Sequence, residues 1–393
     1  VPQLADVIAI LEAHYPPSSA ESWDAVGLAC GDPAADVRRV LFAVDPVEAV
    51  AEEAIQWGAD LIVTHHPLFL RGVHGVPATT PKGRLVHRLI SHGVALYTAH
   101  TNADSAGDGV NDALAGALGL RGLRPLNPHA GEQLDKLVVF VPEPDTARVL
   151  DALTAAGAGV IGDYERCAWM TSGTGTFRPG PGANPTIGEV GAVEEVPEHR
   201  VEMVMPRGSR TGVVAALIEA HPYEEPAYDL YELATLPAGT GLGRIGALDE
   251  PETLRSFTRR VAAALPATVG GVRAAGDPER LVRTVAVCGG AGDSLLDTAR
   301  RAGVDVYVTG DLRHHPVSES LDNGGPALVD VAHWAGEWPW LERAADRLRA
   351  DMADAGTRVE TRVSVAPTDP WTLHEPSRPA GALVPEGGTS PER

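Results

Sequence analysis

Cysteine is scarce in this chain: Cys30, Cys167 and Cys288 stand far apart and none belongs to a CxxC pair, which argues against a disulfide framework and against a thiolate zinc site. Positive charge is also in short supply. The 32 Lys and Arg against 53 Asp and Glu leave a net charge of -21, which repels polyanions and speaks against nonspecific binding to nucleic acid or to an anionic membrane. A phosphate-bearing substrate would need positive charge supplied locally, as by a metal ion. No apolar run approaches the roughly 18 residues of a membrane span. The opening VPQLADVIAILEAHYP is too short and too interrupted for a signal peptide, and the few scattered cysteines make a reducing cytoplasm the expected location. No GxSxG motif is present, and acyl-enzyme chemistry is left without support.

What is present is a chain of 393 residues, 44% hydrophobic and 22% charged, enough for a large core and two or three domains. Residues 1–131 alternate helix and strand patterns. ADVIAILEAHY, PVEAVAEEAIQWG, KGRLVHRLISHG and GVNDALAGALGL read as helices, whereas VRRVLFAVD, ADLIVTHHP and VALYTAHT read as strands. That order predicts an α/β layer with a largely parallel sheet. A similar unit returns in residues 238–366, aligned without gaps at an offset of 245, with eight identities in the 28 columns from Val37 to Thr64. Shared strand-helix-strand patterning accounts for part of this, so duplication and coincidence both stand.

Between the halves, residues 132–237 read as strand, helix, strand, helix, strand around a Gly/Pro-rich loop, TSGTGTFRPGPGANP. This suits a ferredoxin-like α+β insert. Pro, Gly, Ser and Glu dominate residues 367–393, which are expected to be disordered.

Two adjacent histidines, His65 and His66, end the apolar run GADLIVT at Pro67. By itself such a pair is as readily a surface or capping feature. AHTNAD (99–104) and AHWAGE (332–337), at corresponding points of the two halves, each add a strand-end His followed four residues later by a carboxylate. His65, His66, Asp104, His333 and Glu337 thus form an imidazole–carboxylate set suited to two divalent ions, at strand ends where open α/β sheets place ligands. Zn, Mn, Fe and Ni all tolerate such donors. His100 and His315 are candidates for outer-shell or proton-carrying roles, and Glu337 for the bridging and catalytic carboxylate. VCGGAGDS (287–294) lacks the Walker lysine and reads as a tight turn, and HPYEEPAYDLY as a packed strand edge.

SWDAVGL, GADLIVTHHPLF, AHTNAD, VCGGAGDS, GVDVYVTGDLRHH and VAHWAGE together resemble the family of GTP cyclohydrolase 1 type 2 homologs over residues 5–125 and 240–365. HPYEEPAYDLY resembles the insert of that family's longer members, which looks like a trimeric signalling-protein or CutA fold. The resemblance implies two related α/β lobes around a dinuclear centre on His65, His66, Asp104, His333 and Glu337. It also implies a homohexamer and a metal-dependent hydrolase acting on GTP, another nucleotide or a related cyclic amide. Ala25 departs from the Asn that often follows Trp-Asp, and Trp334 and Gly336 fill a stretch that often carries Ser or Thr; neither change removes a ligand. The alternative is a non-catalytic metal carrier, sensor or regulatory protein with the same ligands.

Overall fold

The computed structural model describes residues 1–375. The described residues divide into two compact units, 1–128 with 239–375, and His129–Ala238. No helix among the described residues is long and apolar enough to cross a membrane.

The larger unit carries two sheets with one plan. In the first, the strands lie in the order Gly27–Cys30, Ala95–Thr98, Leu61–Thr64, Arg39–Ala43, Glu360–Val363. The last four run parallel, and Gly27–Cys30 is antiparallel to its neighbour. In the second, Arg273–Ala275 is antiparallel to Ala327–Val331, which runs parallel to Val306–Gly310, itself parallel to Leu281–Ala291. Pro237–Thr253 and Arg121–Ala130 complete this sheet. Each sheet therefore repeats one chain order: an antiparallel edge strand followed by three parallel strands with helical crossovers.

The period-2 alternation of each strand assigns its two faces. Val40, Phe42, Leu61, Val63 and Tyr97 of the first sheet share one core with Val285, Val287, Val306, Val308 and Val329 of the second. Trp340, Leu341 and Leu348 of the helix Pro339–Asp354 lie in the same core. The opposite faces pack separately, Leu41, Ile62 and Leu96 with the helices Glu48–Trp57 and Pro81–Ser91, and Ala286, Tyr307 and Leu328 with the helix Leu296–Ala302. The helix starts and stops follow local chemistry. Thr80 caps Pro81–Ser91 by accepting from the Gly83 N–H, and Gly58, at φ 73°, ends Glu48–Trp57 in the left-handed conformation.

The smaller unit is an antiparallel sheet in the order Trp169–Phe177, Glu194–Pro206, Leu134–Pro142, Tyr228–Glu232, with the helices Thr146–Ala155 and Arg210–Ala220. The sequence reading needs correction here. TSGTGTF, expected as loop, is strand, because its backbone pairs residue for residue with Glu194–Arg200. The strand Tyr228–Glu232 is an edge as expected, yet exposed along its whole length rather than packed. Of the stretch 367–393 expected to be disordered, residues 376–393 lie outside the described residues.

Candidate metal centre

The parallel strands of both sheets deliver their C-terminal ends to one place. His65 and His66 follow Leu61–Thr64, and His100 follows Ala95–Thr98 and opens the short helix Thr101–Ser105 that carries Asp104. From the second sheet, His333 follows Ala327–Val331 and begins the helix His333–Glu337. The i, i+4 spacing puts each helix's carboxylate on the same face as the histidine four residues earlier.

Four imidazoles are fixed in the same way. His65 Nδ1 bonds the Ala99 carbonyl at 3.0 Å, and His66 Nδ1, His100 Nδ1 and His333 Nδ1 bond Asp45, Asp24 and Asp311, each at 2.7 Å. Pairing with acceptors assigns the proton to Nδ1 and leaves Nε2 as the atom that could meet an ion. These Nε2 atoms gather around Glu337. Its Oε1 lies 3.4 Å from His65 Nε2 and 3.0 Å from His333 Nε2, and its Oε2 lies 3.2 Å from His66 Nε2. Asp104 Oδ1 is 3.7 Å from His65 Nε2, and His66 Nε2 faces His333 Nε2 at 3.2 Å.

These residues fit a divalent cation. His65 Nε2, Asp104 Oδ1 and Glu337 Oε2 are buried with no hydrogen-bond partner, a state that costs about 1–3 kcal/mol per group, more for charges, unless something meets them. Donor atoms about 2.1 Å from one ion stand about 3.0–3.4 Å apart, close to the separations observed here. Two groups of three side chains converge closely enough to hold an ion, His65 with His66 and His100, and His66 with His333 and Glu337. Gly290, at φ 66°, makes room: a β-carbon there would stand 2.4 Å from Glu337 Oε1.

The electrostatics draw positive charge inward. Burial disfavours charge on His66 and His333, but Glu337 outweighs it and, with Asp45 or Asp311, raises them to about 11 and about 9. His65 is raised as well, because Glu337 and Asp104 overcome its desolvation. Burial opposes the Glu337 charge, yet the surrounding histidines hold its carboxyl well below the usual range. Asp104 moves the other way, upward, chiefly through burial.

His65, His66, Asp104, His333 and Glu337 are thus brought together, and His100 joins them with its ring centroid 5.1 Å from that of His65. His315 does not join: it is exposed on the helix His314–Asp322, its ring against His314. VCGGAGDS, expected as a tight turn, continues the strand Leu281–Ala291 through Gly290 and forms the wall of the centre. Sequence reasoning missed the acceptors Asp24, Asp45 and Asp311. The available signal was an Asp within two residues of a parallel strand's C-terminal end, as at Asp45 and Asp311. Asp311 sits at φ 56°, a left-handed conformation that Asp tolerates better than most residues.

Beside His66 and His333 opens a cavity of about 830 Å³, walled also by Arg273, Arg313, Trp334 and Trp371. Thr368 hydrogen-bonds Asp45 at its edge.

The profile of the family Duf34/NIF3 (NGG1p interacting factor 3) matches residues 2–370. The GTP cyclohydrolase 1 type 2 homolog of Mycobacterium tuberculosis is 54% identical over 378 residues, 96% of this chain and 98% of that one. Among solved structures, the Bacillus cereus protein related to NIF3 is 38% identical with a TM-score of 0.69, covering 95% of this chain and 100% of that one. Staphylococcus aureus protein SA1388 is 28% identical with a TM-score of 0.79, covering 95% and 99%.

Proposed function

The chain belongs to the Duf34/NIF3 family, and on that premise we propose that its histidine–carboxylate cluster holds two divalent ions and serves a metal-dependent hydrolase. His65, His66, His100, Asp104, His333 and Glu337 would be the ligands, with Glu337 shared between the ions. The observation that carries this reading is the set of buried, inward-facing atoms without a hydrogen-bond partner, His65 Nε2, Asp104 Oδ1 and Glu337 Oε2, among imidazoles anchored through Nδ1.

Bound divalent ions lower the pKa of a coordinated water toward neutrality and polarise a carbonyl or phosphoryl oxygen. The protein's own part is positional. Asp24, Asp45, Asp311 and the Ala99 carbonyl hold the rings in one orientation, so little reorganisation is needed at the moment of reaction. Burial of Glu337 and of the Asp104 Oδ1 atom keeps bulk water from screening them. The neighbouring cavity is large enough for a nucleotide or a cyclic amide. The relatives' name makes GTP the first substrate to test. In a chain of net charge -21, the cations and the cavity arginines Arg273 and Arg313 would meet a phosphate. The same reading takes residues 132–237 as a ferredoxin-like insert, supported by their β-α-β-β-α-β order, and the assembly as a homohexamer.

Elemental analysis of full-length protein purified without a histidine tag, with His66→Ala beside it, tests the centre. About two ions per chain in the wild type and at least one fewer in the variant are expected. The metal-loaded wild type should then hydrolyse at least one of GTP, ATP, dihydrouracil and hydantoin. Metal uptake without turnover would replace the hydrolase by a metal carrier or sensor, and absence of metal after metal-replete growth would overturn both.

A further inference from the structure

Two sequence segments that the metal centre does not use, TSGTGTFRPGPGANP and HPYEEPAYDLY, meet in the smaller unit around a cavity of about 680 Å³. This volume falls within the range of small-molecule sites. The sheet's core face carries Leu137, Val139, Val201 and Met203, packed with residues of the two helices. Alternation assigns Phe140, Glu198 and Arg200 to the opposite face. On that face Gly173 pairs with Glu198, and Gly175 follows two residues on. Glycine inside a strand weakens it and marks places where a ligand or another backbone comes close. A β-carbon on Gly175 would stand 2.0 Å from Glu198 Oε2, whereas one on Gly173 would meet nothing within 4 Å. The glycines therefore make room for the carboxylate at one position and leave open space at the next.

Glu198 is the chemical centre of this cavity. It is only 7% exposed, and its Oε1 accepts the Tyr223 O–H at 2.9 Å. Burial first, and then the adjacent carboxylate, raises the Tyr223 phenol, which keeps that O–H in place as a donor. Among the described residues no Lys, Arg or His forms an ion pair with Glu198, whereas Arg200, beside it on the sheet, is committed to Glu202 at 3.0 Å. A carboxylate so nearly removed from water, with one neutral donor and no ion-paired cation, is stabilised when a positive charge arrives. Glu224 and Glu225 add negative charge to the same wall, which Arg178 and the Glu202-bound Arg200 also line. Phe140 and Phe177 supply aromatic surface, Phe177 standing edge-on to Tyr223 with centroids 5.5 Å apart, which suits the alkyl part and the charge of an organic cation.

We propose that this cavity binds a small organic ammonium ion, with its charge against Glu198 and its carbon chain against Phe140 and Phe177. Oε2, beyond the Tyr223 bond, is the acceptor for the ammonium N–H. The site is separate from the metal centre in sequence and chemistry, and it gives the inserted unit a ligand of its own.

The test is isothermal titration of the full-length protein with putrescine, agmatine, lysine and arginine, against succinate and 1,4-butanediol as anionic and neutral controls. At least one amine should bind saturably, and the controls should not. Glu198→Gln, which keeps the shape and the Tyr223 contact but removes the charge, should weaken binding at least tenfold. Should that variant fold poorly by circular dichroism, Gly173→Leu, whose β-carbon meets nothing within 4 Å and whose side chain grows into the open face beside Glu198, should block binding in a chain of unchanged helix content. Binding of succinate in place of the amines, binding indifferent to both variants, or no binding by any amine would each overturn the proposal.

Discussion

Gly290 shows how closely the backbone approaches the ligands. A β-carbon there would stand 2.4 Å from Glu337 Oε1 and 3.0 Å from His333 Nε2, on a backbone at φ 66°. Gly303 has nearly the same φ, 68°, with nothing within 4 Å of its would-be β-carbon. Gly303→Ala should therefore show the conformational cost alone, about 1–2 kcal/mol, with metal uptake unchanged. Gly290→Ala should show that cost and, in addition, lose metal affinity at least tenfold. Thermal melts and metal titration of the two variants side by side check this, and equal affinities would remove Gly290 from the centre. The residues that cluster were legible in the sequence, because a strand-end His with a carboxylate four residues on is a local pattern. The acceptors were not, since Asp24 reaches His100 across 76 residues and Asp311 reaches His333 across 22. Gly290 was misread because a glycine pair looks the same in a turn as in a wall cleared for a neighbouring side chain.

At the scale of elements, the short helix Thr101–Ser105 is too brief to hold Asp104 in place by itself. Arg244, 2% exposed, supplies the fastening. Its guanidinium bonds the carbonyls of Gly241 and Gly243 at 2.6 and 2.8 Å, that of Ala106 at 2.5 Å, and Asp112 at 2.8 Å. It thereby ties the strand Pro237–Thr253 to the end of the helix carrying Asp104. Arg244→Leu leaves Asp112 and four carbonyls, that of Ser105 at 3.4 Å included, without their donor, and should cost about 3–5 kcal/mol by chemical denaturation. Arg244→Lys should recover only part of this, because one ammonium cannot reproduce a planar fork of five donors. Full recovery with Lys would mean that charge alone matters. Apolar periodicity placed four helices and three strands in the first 125 residues, since each buries a regular face, but it missed the edge strand Gly27–Cys30 and the five-residue helix Thr101–Ser105, which are too short to show a period. It failed at TSGTGTF because the positions on the core side of that strand, Ser172 and Thr174, are polar and two on the other face are glycines, which leaves no hydrophobic alternation to detect.

At the scale of the molecule, the two sheets repeat one topology but divide the labour. The 245-residue offset that aligns Val37–Thr64 with Val282–Thr309 carries His65 onto Gly310, His66 onto Asp311 and Asp45 onto Gly290. A side chain at Gly310 would press on the Gly290 carbonyl at 2.9 Å and on His333 Cα at 3.2 Å. One sheet thus supplies a pair of imidazoles where the other supplies space and an acceptor. Only the His333–Glu337 helix matches its counterpart, His100 with Asp104, ligand for ligand. Every candidate ligand belongs to the larger unit, and none falls within His129–Ala238. An ion that binds only the folded state adds RT ln(1 + [L]/Kd), about 2.7 kcal/mol at a hundredfold excess over Kd, and adds it to the core that holds its ligands. Chelation should therefore raise amide hydrogen exchange in peptides spanning 61–66, 99–105 and 327–337, while the strands Leu134–Pro142 and Glu194–Pro206 keep their protection. Protection lost equally in both units would show that the metal stabilises the chain as a whole rather than the junction of its two sheets.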